Sequence, residues 1–171
     1  MDASLQKAVL SRVGDYSIRP CDREDIPGVI DINMRALPEH YSDYFYYEVL
    51  SEFPDTFLVG ELDGKIVGYI MCRIEYGFSH LKRLGLAHKG HVISVAVLEE
   101  HRAKGLGSKL IEIAQEGMRK KACTESYLEV RISNEGGIEL YKRIGYEVVG
   151  KLDSYYRDGE AAYLMANHLA Q

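Results

Sequence analysis

His91-Val-Ile-Ser-Val-Ala-Val97, followed by Arg102-Ala103-Lys104-Gly105-Leu106-Gly107-Ser108, is the stretch that decides the fold. The first segment is apolar and β-branched and reads as a buried strand. After it, Leu106, Leu110, Ile113, Ala114, Gly117 and Met118 recur at helical spacing. A strand, a glycine-rich turn and a helix N-terminus therefore follow one another. Such an assembly binds phosphate, because free backbone N–H groups and the positive end of the helix dipole face the ligand. Gly105 and Gly107 permit close backbone approach, and Arg102 and Lys104 add charge. The turn is not a nucleotide P-loop, because G-x-x-x-x-G-K-[ST] is absent. It is not a dinucleotide fingerprint either, for it lacks the third glycine and a suitable downstream acid. Alone, the pattern also fits a plain tight connection.

A second segment narrows the choice. Residues 126–132 alternate as a strand, and then comes Asn134-Glu-Gly-Gly137-Ile-Glu-Leu140-Tyr141-Lys-Arg-Ile-Gly145-Tyr146. Asn134 and Tyr141 are seven apart and share one face of a helix. Strand, R-x-x-G-x-G, helix, strand, then N-x-x-[AG]-x-x-L-Y-x-x-x-G-[FY] resembles the GNAT superfamily of acetyl-CoA-dependent N-acetyltransferases. The resemblance spans about residues 16–168. The family usually has alanine where Gly137 stands, a small-for-small exchange.

The remaining chain reads as an α/β fold. Residues 1–14 form an N-terminal extension with a helical leaning, and 15–171 form the acetyltransferase domain. A short strand at 16–19 precedes a helix capped by Asp22 and Asp25, with Ile26, Ile30, Met34 and Leu37 as its buried stripe. Pro38 ends it, and a second helix runs from Asp43 to Phe53. Residues 56–62 and 66–74 pair across Asp63-Gly64. Residues 76–89 read as a long polar loop. A helix from 135 and a hairpin near 146–153 and 160–168 close the chain. The expected architecture is a mixed, mostly antiparallel sheet with helices on both faces.

Composition bounds the function. The chain has 171 residues, enough for one domain with a real core. Its net charge of −5 argues against a nucleic-acid partner, which would ask for a basic patch. No apolar run approaches a membrane span, and the N-terminus lacks the pattern of a secretory signal. Cys21, Cys72 and Cys123 are odd in number and scattered, as reduced cytoplasmic thiols are. Thirteen Tyr and no Trp fit a tyrosine-lined peptide groove and equally fit compositional drift.

The resemblance implies roles for particular residues. The turn Arg102, Ala103, Lys104, Gly105, Leu106, Gly107 and Ser108 would bind the pyrophosphate of CoA. The strand end Val95, Ala96 and Val97 would hydrogen-bond the pantetheine arm and polarise the thioester carbonyl. Asn134 would hold the pantetheine or cap its helix. Tyr141 would donate to the departing sulfur or serve as a core tyrosine. His91 and Glu129 stand where the amine is positioned or deprotonated in protein N-terminal acetyltransferases. Alternation puts Leu128, Val130 and Ile132 on one face and Glu129 and Arg131 on the other. A carboxylate inside a strand is costly unless paired or in use, so Arg131 or a lysine could be its partner. His91 could equally be structural.

Two loops point to the N-terminal branch, closest to its archaeal members. Leu37-Pro38-Glu39-His40-Tyr41 is similar to its L-P-E-x-Y loop, and Tyr155-Tyr156-Arg157-Asp158-Gly159-Glu160-Ala161-Ala162-Tyr163 to its closing hairpin. The resemblance implies that Leu37, Glu39, Tyr41, Tyr155 and Tyr156 line a peptide groove. It implies acetyl-CoA as co-substrate, protein N-termini as acceptors, the ribosome or nascent chains as partners, and a monomer or small homo-oligomer. His88-x-x-His91 has no third ligand spaced to match, so no metal is expected. An independent argument favours an α-amine. Its pKa is about 7.7–8.0 against about 10.4 for lysine, so a weak base suffices. The alternatives are an acetyltransferase of lysines or small amines, and a non-catalytic acyl-CoA-binding module.

Overall fold

The computed structural model describes residues 7–170. Among the described residues eight strands and four α-helices follow in the order β1 (Ser11–Val13), β2 (Tyr16–Pro20), α1 (Ile26–Ala36), α2 (Asp43–Glu52), β3 (Phe57–Leu62), β4 (Lys65–Phe78), β5 (Leu86–Val97), α3 (Leu106–Lys120), β6 (Glu125–Arg131), α4 (Glu135–Ile144), β7 (Glu147–Leu152) and β8 (Ala162–His168). The strand order is β1-β2-β3-β4-β5-β6-β8-β7. β5 pairs with β6 in parallel, whereas β1–β2, β2–β3, β3–β4, β6–β8 and β7–β8 are antiparallel. The α/β class and the mostly antiparallel sheet are those expected.

Three local readings are corrected. Ser11–Val13 form an edge strand, because a two-residue turn at Gly14-Asp15 folds them back on β2. Residues 7–10 form neither helix nor strand, and residues 1–6 lie outside the described residues. The buried face of α1 is Ile26, Val29, Ile32 and Asn33, while Met34 is exposed. The stripe is turned because Asn33 faces inward, where its Nδ2 donates to Tyr69 Oη and Glu39 O, both at 3.0 Å. The polar loop at 76–89 shrinks to 79–85, since β4 and β5 extend on both sides of it.

The chain forms two compact units. Of the described residues, the first holds 7–72 together with Ser94–Ala114, and the second holds Arg73–Ile93 and 115–170. In the first, Leu106 is buried where β3 and β4 carry glycines. A Cβ on Gly60 would stand 2.9 Å from Leu106 Cδ1, and one on Gly68 would stand 3.2 Å from Ala96 O. A side chain at either glycine would crowd Leu106, so the two glycines give the first residue of α3 its seat. In the second unit, Leu128 and Val130 are buried on one face of β6, as the alternation requires. On that face Tyr146 Oη meets Ser126 Oγ at 2.8 Å and accepts from Gln115 Nε2 at 3.2 Å.

A buried ion pair ties β2 to the start of α1. Arg19 donates to Asp25 at 2.6 and 3.0 Å and to Glu61 at 2.7 Å. Asp25 also accepts from the Asp22 N–H, and Asp22 caps Glu24, completing the capping box. Burial alone would push the Asp25 carboxyl up. The hydrogen bonds from Arg19 and the Asp22 N–H, with Arg19's charge, reverse that and hold it below the ordinary value. A depressed folded value contributes stability above the unfolded carboxylate value of about 3.9 and loses it as pH falls through the folded one. Asp25→Asn should cost about 1.5–3 kcal/mol in urea unfolding at neutral pH, because the buried guanidinium keeps Glu61 but loses its other charged partner. The gap to the native protein should narrow only at strongly acid pH.

Candidate functional site

In the second unit β5 and β6 pair as Lys89↔Glu125, Gly90↔Ser126 and His91↔Tyr127. Opposed residues of a parallel pair share a face, so the rings of His91 and Tyr127 stack, with centroids 4.4 Å apart and planes parallel to within 1°. Two residues on, Glu129 returns to that face. Its Oε2 lies 2.7 Å from His91 Nε2, which donates, since a carboxylate only accepts. Arg131, the partner suggested by the alternation, is not the one used. It binds Asp158 and Glu160, both at 2.8 Å, and its guanidinium lies 4.1 Å from the centre of the Tyr156 ring.

Sequence reasoning missed Glu75 and Tyr127. Glu75 Oε1 accepts from Tyr127 Oη at 2.6 Å, and its Oε2 from Arg73 Nε at 2.8 Å. Burial would push the Glu75 carboxyl up; the Tyr127 bond, with the charges of His91 and Arg73, holds it below the ordinary value. Burial, then the bond to Glu75, pushes the Tyr127 phenol far up. Tyr127 was legible in principle, because it has the parity of Glu129 on one strand. Glu75 was not, because its place beside His91 depends on a register between strands.

Around this cluster the 79–85 loop is pinned. Glu125 accepts from Ser79 Oγ and the His80 N–H, both at 2.6 Å. Lys89 Nζ donates to Phe78 O at 2.8 Å and stands 5.1 Å from the Tyr127 ring centre. His88 and His91, three apart on a strand, face opposite ways: His88 is exposed against Tyr76, and His91 is buried on Tyr127. Among the described residues no group of three or more His, Cys, Asp or Glu is arranged to hold a metal.

Asn134 Oδ1 caps α4 by accepting from the Gly137 N–H at 3.0 Å. A Cβ on Gly137 would stand 2.7 Å from Asn134 Nδ2, so the glycine leaves room for this cap. Tyr141 keeps some surface, yet its phenol is packed deeply enough that burial pushes it up to about 12. Tyr155 and Tyr156 meet edge to face at 4.9 Å. Burial and then the charge of Glu129 raise the Tyr155 phenol.

In the first unit the turn after β5 leaves Arg102, Ala103, Lys104 and Gly105 exposed. Ala103 at φ +59° and Gly105 at φ +88° bend it sharply. The first bond into α3 runs from the Lys109 N–H to Gly105 O, so the N–H groups of Leu106, Gly107 and Ser108 lie ahead of the helical ladder. Arg102 Nε donates to Val97 O at 2.9 Å, which fastens the turn to the end of the strand formed by Val95, Ala96 and Val97. Leu37 caps the C-terminus of α1, Glu39 O accepts from Asn33, and Tyr41 stacks on Phe45.

The first unit thus carries an exposed glycine turn at a helix N-terminus, and the second a buried imidazole–carboxylate pair. The sequence profile of the acetyltransferase (GNAT) family matches residues 26–146. The chain belongs to that family. It is similar to the N-alpha-acetyltransferase of Sulfurisphaera tokodaii, with 49% identity over 154 residues, 89% of this chain and 92% of that protein. Among solved structures, Ard1 from Thermoplasma volcanium superposes with a TM-score of 0.80 at 27% identity, covering 92% of this chain and 99% of that one. A chain of the NatB acetyltransferase complex bound to CoA and MES superposes with a TM-score of 0.75 at 30% identity, covering 90% and 99%.

This GNAT chain holds its β7–β8 hairpin through Arg131. Arg131→Ala should therefore raise amide hydrogen exchange at residues 156–160 severalfold while leaving the α4 amides unchanged.

Proposed function

We propose that this GNAT protein is an acetyl-CoA-dependent N-alpha-acetyltransferase acting on protein N-termini. The observation that carries the reading is 49% identity to a protein of that activity across 89% of the chain. Acetyl-CoA supplies an activated acyl carbon and a thiolate leaving group. The N–H groups of Leu106, Gly107 and Ser108 suit its pyrophosphate, with Arg102 and Lys104 beside them. The β5 end at Val95, Ala96 and Val97 suits the pantetheine arm, as do Asn134 and Tyr141.

The acceptor nitrogen bonds to the acyl carbon and gives its proton to the His91–Glu129 pair. An imidazole held by a carboxylate has the chemistry of a general base. An α-amine needs no stronger base, for a fair fraction is already neutral there. Tyr141, with its phenol pushed up to about 12, keeps its proton at neutral pH and can donate it toward the departing sulfur. Leu37, Glu39, Tyr41, Tyr155 and Tyr156 would bind the first residues of the peptide. The carboxylate of Glu39 disfavours Asp- or Glu-starting peptides against Ser-, Ala- or Met-starting ones. We place the protein in the cytoplasm, as a monomer or small homo-oligomer working on nascent chains at the ribosome. Among the described residues no helix is long and apolar enough to cross a membrane.

The reading is tested by two peptides: one with a free N-terminus and no lysine, the other N-blocked with an internal lysine. Mass spectrometry should find the first acetylated much faster. Faster acetylation of the second would favour a lysine acetyltransferase, and no turnover of either with intact acetyl-CoA binding would favour a binding module. Glu129→Gln should cut kcat roughly 10- to 1,000-fold. Its acetyl-CoA affinity in calorimetry should hardly change. Gly107→Trp should abolish acetyl-CoA binding in a folded protein, because bulk at that turn blocks the phosphate.

A further inference from the structure

We propose that Glu75 is a positioning residue for the His91–Glu129 pair, placed to stabilise the proton that the pair takes from the amine. The proposal rests on the amine acetylation described above. His91 Nε2 is committed to Glu129 at 2.7 Å. Its Nδ1 is buried and makes no hydrogen bond among the described residues. Facing it is Glu75 Oε2 at 3.6 Å. That separation is too long for a hydrogen bond but well inside the range where a carboxylate favours a neighbouring imidazolium. Nδ1 is therefore where the ring takes its second proton.

Tyr127 fixes both partners. Its face sets the plane of the His91 ring, and its hydroxyl donates to Glu75 Oε1 at 2.6 Å. Arg73 holds Oε2 at 2.8 Å, so the oxygen aimed at Nδ1 is itself anchored. The other charged or titratable groups near the ring are few. Glu129 comes from β6. Lys89, on the same strand as His91, is drawn off to Phe78 O and His80 Nε2. His80 packs on the ring of Tyr127, 4.3 Å between centroids. Tyr155 feels the charges of Glu129 and Arg73. During transfer the amine nitrogen bonds to the acyl carbon, the carbon–sulfur bond breaks, CoA leaves as its thiolate, and the amine gives up one proton. The pair then holds an imidazolium between two carboxylates, and Glu75 is the second of them.

The test is a ¹⁵N NMR titration of the histidine rings in the free enzyme, with His91→Ala to assign the signal. In the native protein the neutral ring should carry its proton on Nε2, and acidification should protonate Nδ1. Glu75→Gln should lower that midpoint by about one pH unit or more, whereas Glu75→Asp should keep it near the native value. The acid limb of kcat/KM should move the same way, and kcat should fall by up to about tenfold, the cost of a weaker base. A merely structural role would move none of the midpoints. An unchanged midpoint in folded Glu75→Gln overturns the proposal. Should that variant not fold, a native neutral ring protonated on Nδ1 overturns it instead. The titration uses no substrate, so its failure is distinct from failure of the N-terminal reading.

Discussion

Three rungs of parallel pairing, Lys89–His91 against Glu125–Tyr127, decide which side chains meet in the second unit. Strand side chains alternate with a period of two. In this register His91, Tyr127 and Glu129 share a face, while Ser126, Leu128 and Val130 turn to the other. A slip of one residue would bury the carboxylate among apolar groups and put Leu128 beside the imidazole. The antiparallel ladder from Glu125↔His168 to Arg131↔Ala162 holds β6 from its other edge and opposes such a slip.

The polar face so made holds several charges close together, and each has a partner. Glu125 is satisfied by Ser79 and His80, Lys89 by Phe78 O, Glu75 by Tyr127 and Arg73, and Glu129 by His91. Burying a charge is costly unless it is hydrogen-bonded. These bonds therefore order the face before any ligand binds, which lets it act without first reorganising. The Arg19–Asp25–Glu61 group in the first unit obeys the same rule but has a structural task, joining β2, β3 and the entry to α1.

Features written in local pattern were legible in the sequence. The glycine turn, the α3 face from Leu106 to Met118, the Asp63-Gly64 hairpin and the parity of Glu129 all follow from spacing within one segment. Features that depend on partners were not. Asn33 turns inward because Tyr69 and Glu39 O lie there to receive it, which no helical period reveals. The length of β4 was hidden because its outer part carries Tyr76 and Phe78 beside polar residues and reads as loop. Arg131 was offered to Glu129 by parity alone, but the β7–β8 hairpin supplies it with Asp158 and Glu160. Glu75 is the clearest case, because only the assembled sheet brings it to His91.

The most direct measurement compares two bisubstrate analogues by calorimetry. In one, CoA is joined through an acetyl bridge to the α-amine of a short peptide. In the other, the same bridge joins it to the ε-amine of an internal lysine in the N-blocked peptide. If the site is built for a chain end, the α-linked analogue should bind about 100-fold tighter or better, as compounds that mimic the transition state do. Equal affinity, or tighter binding of the lysine-linked analogue, would contradict an N-terminal acceptor.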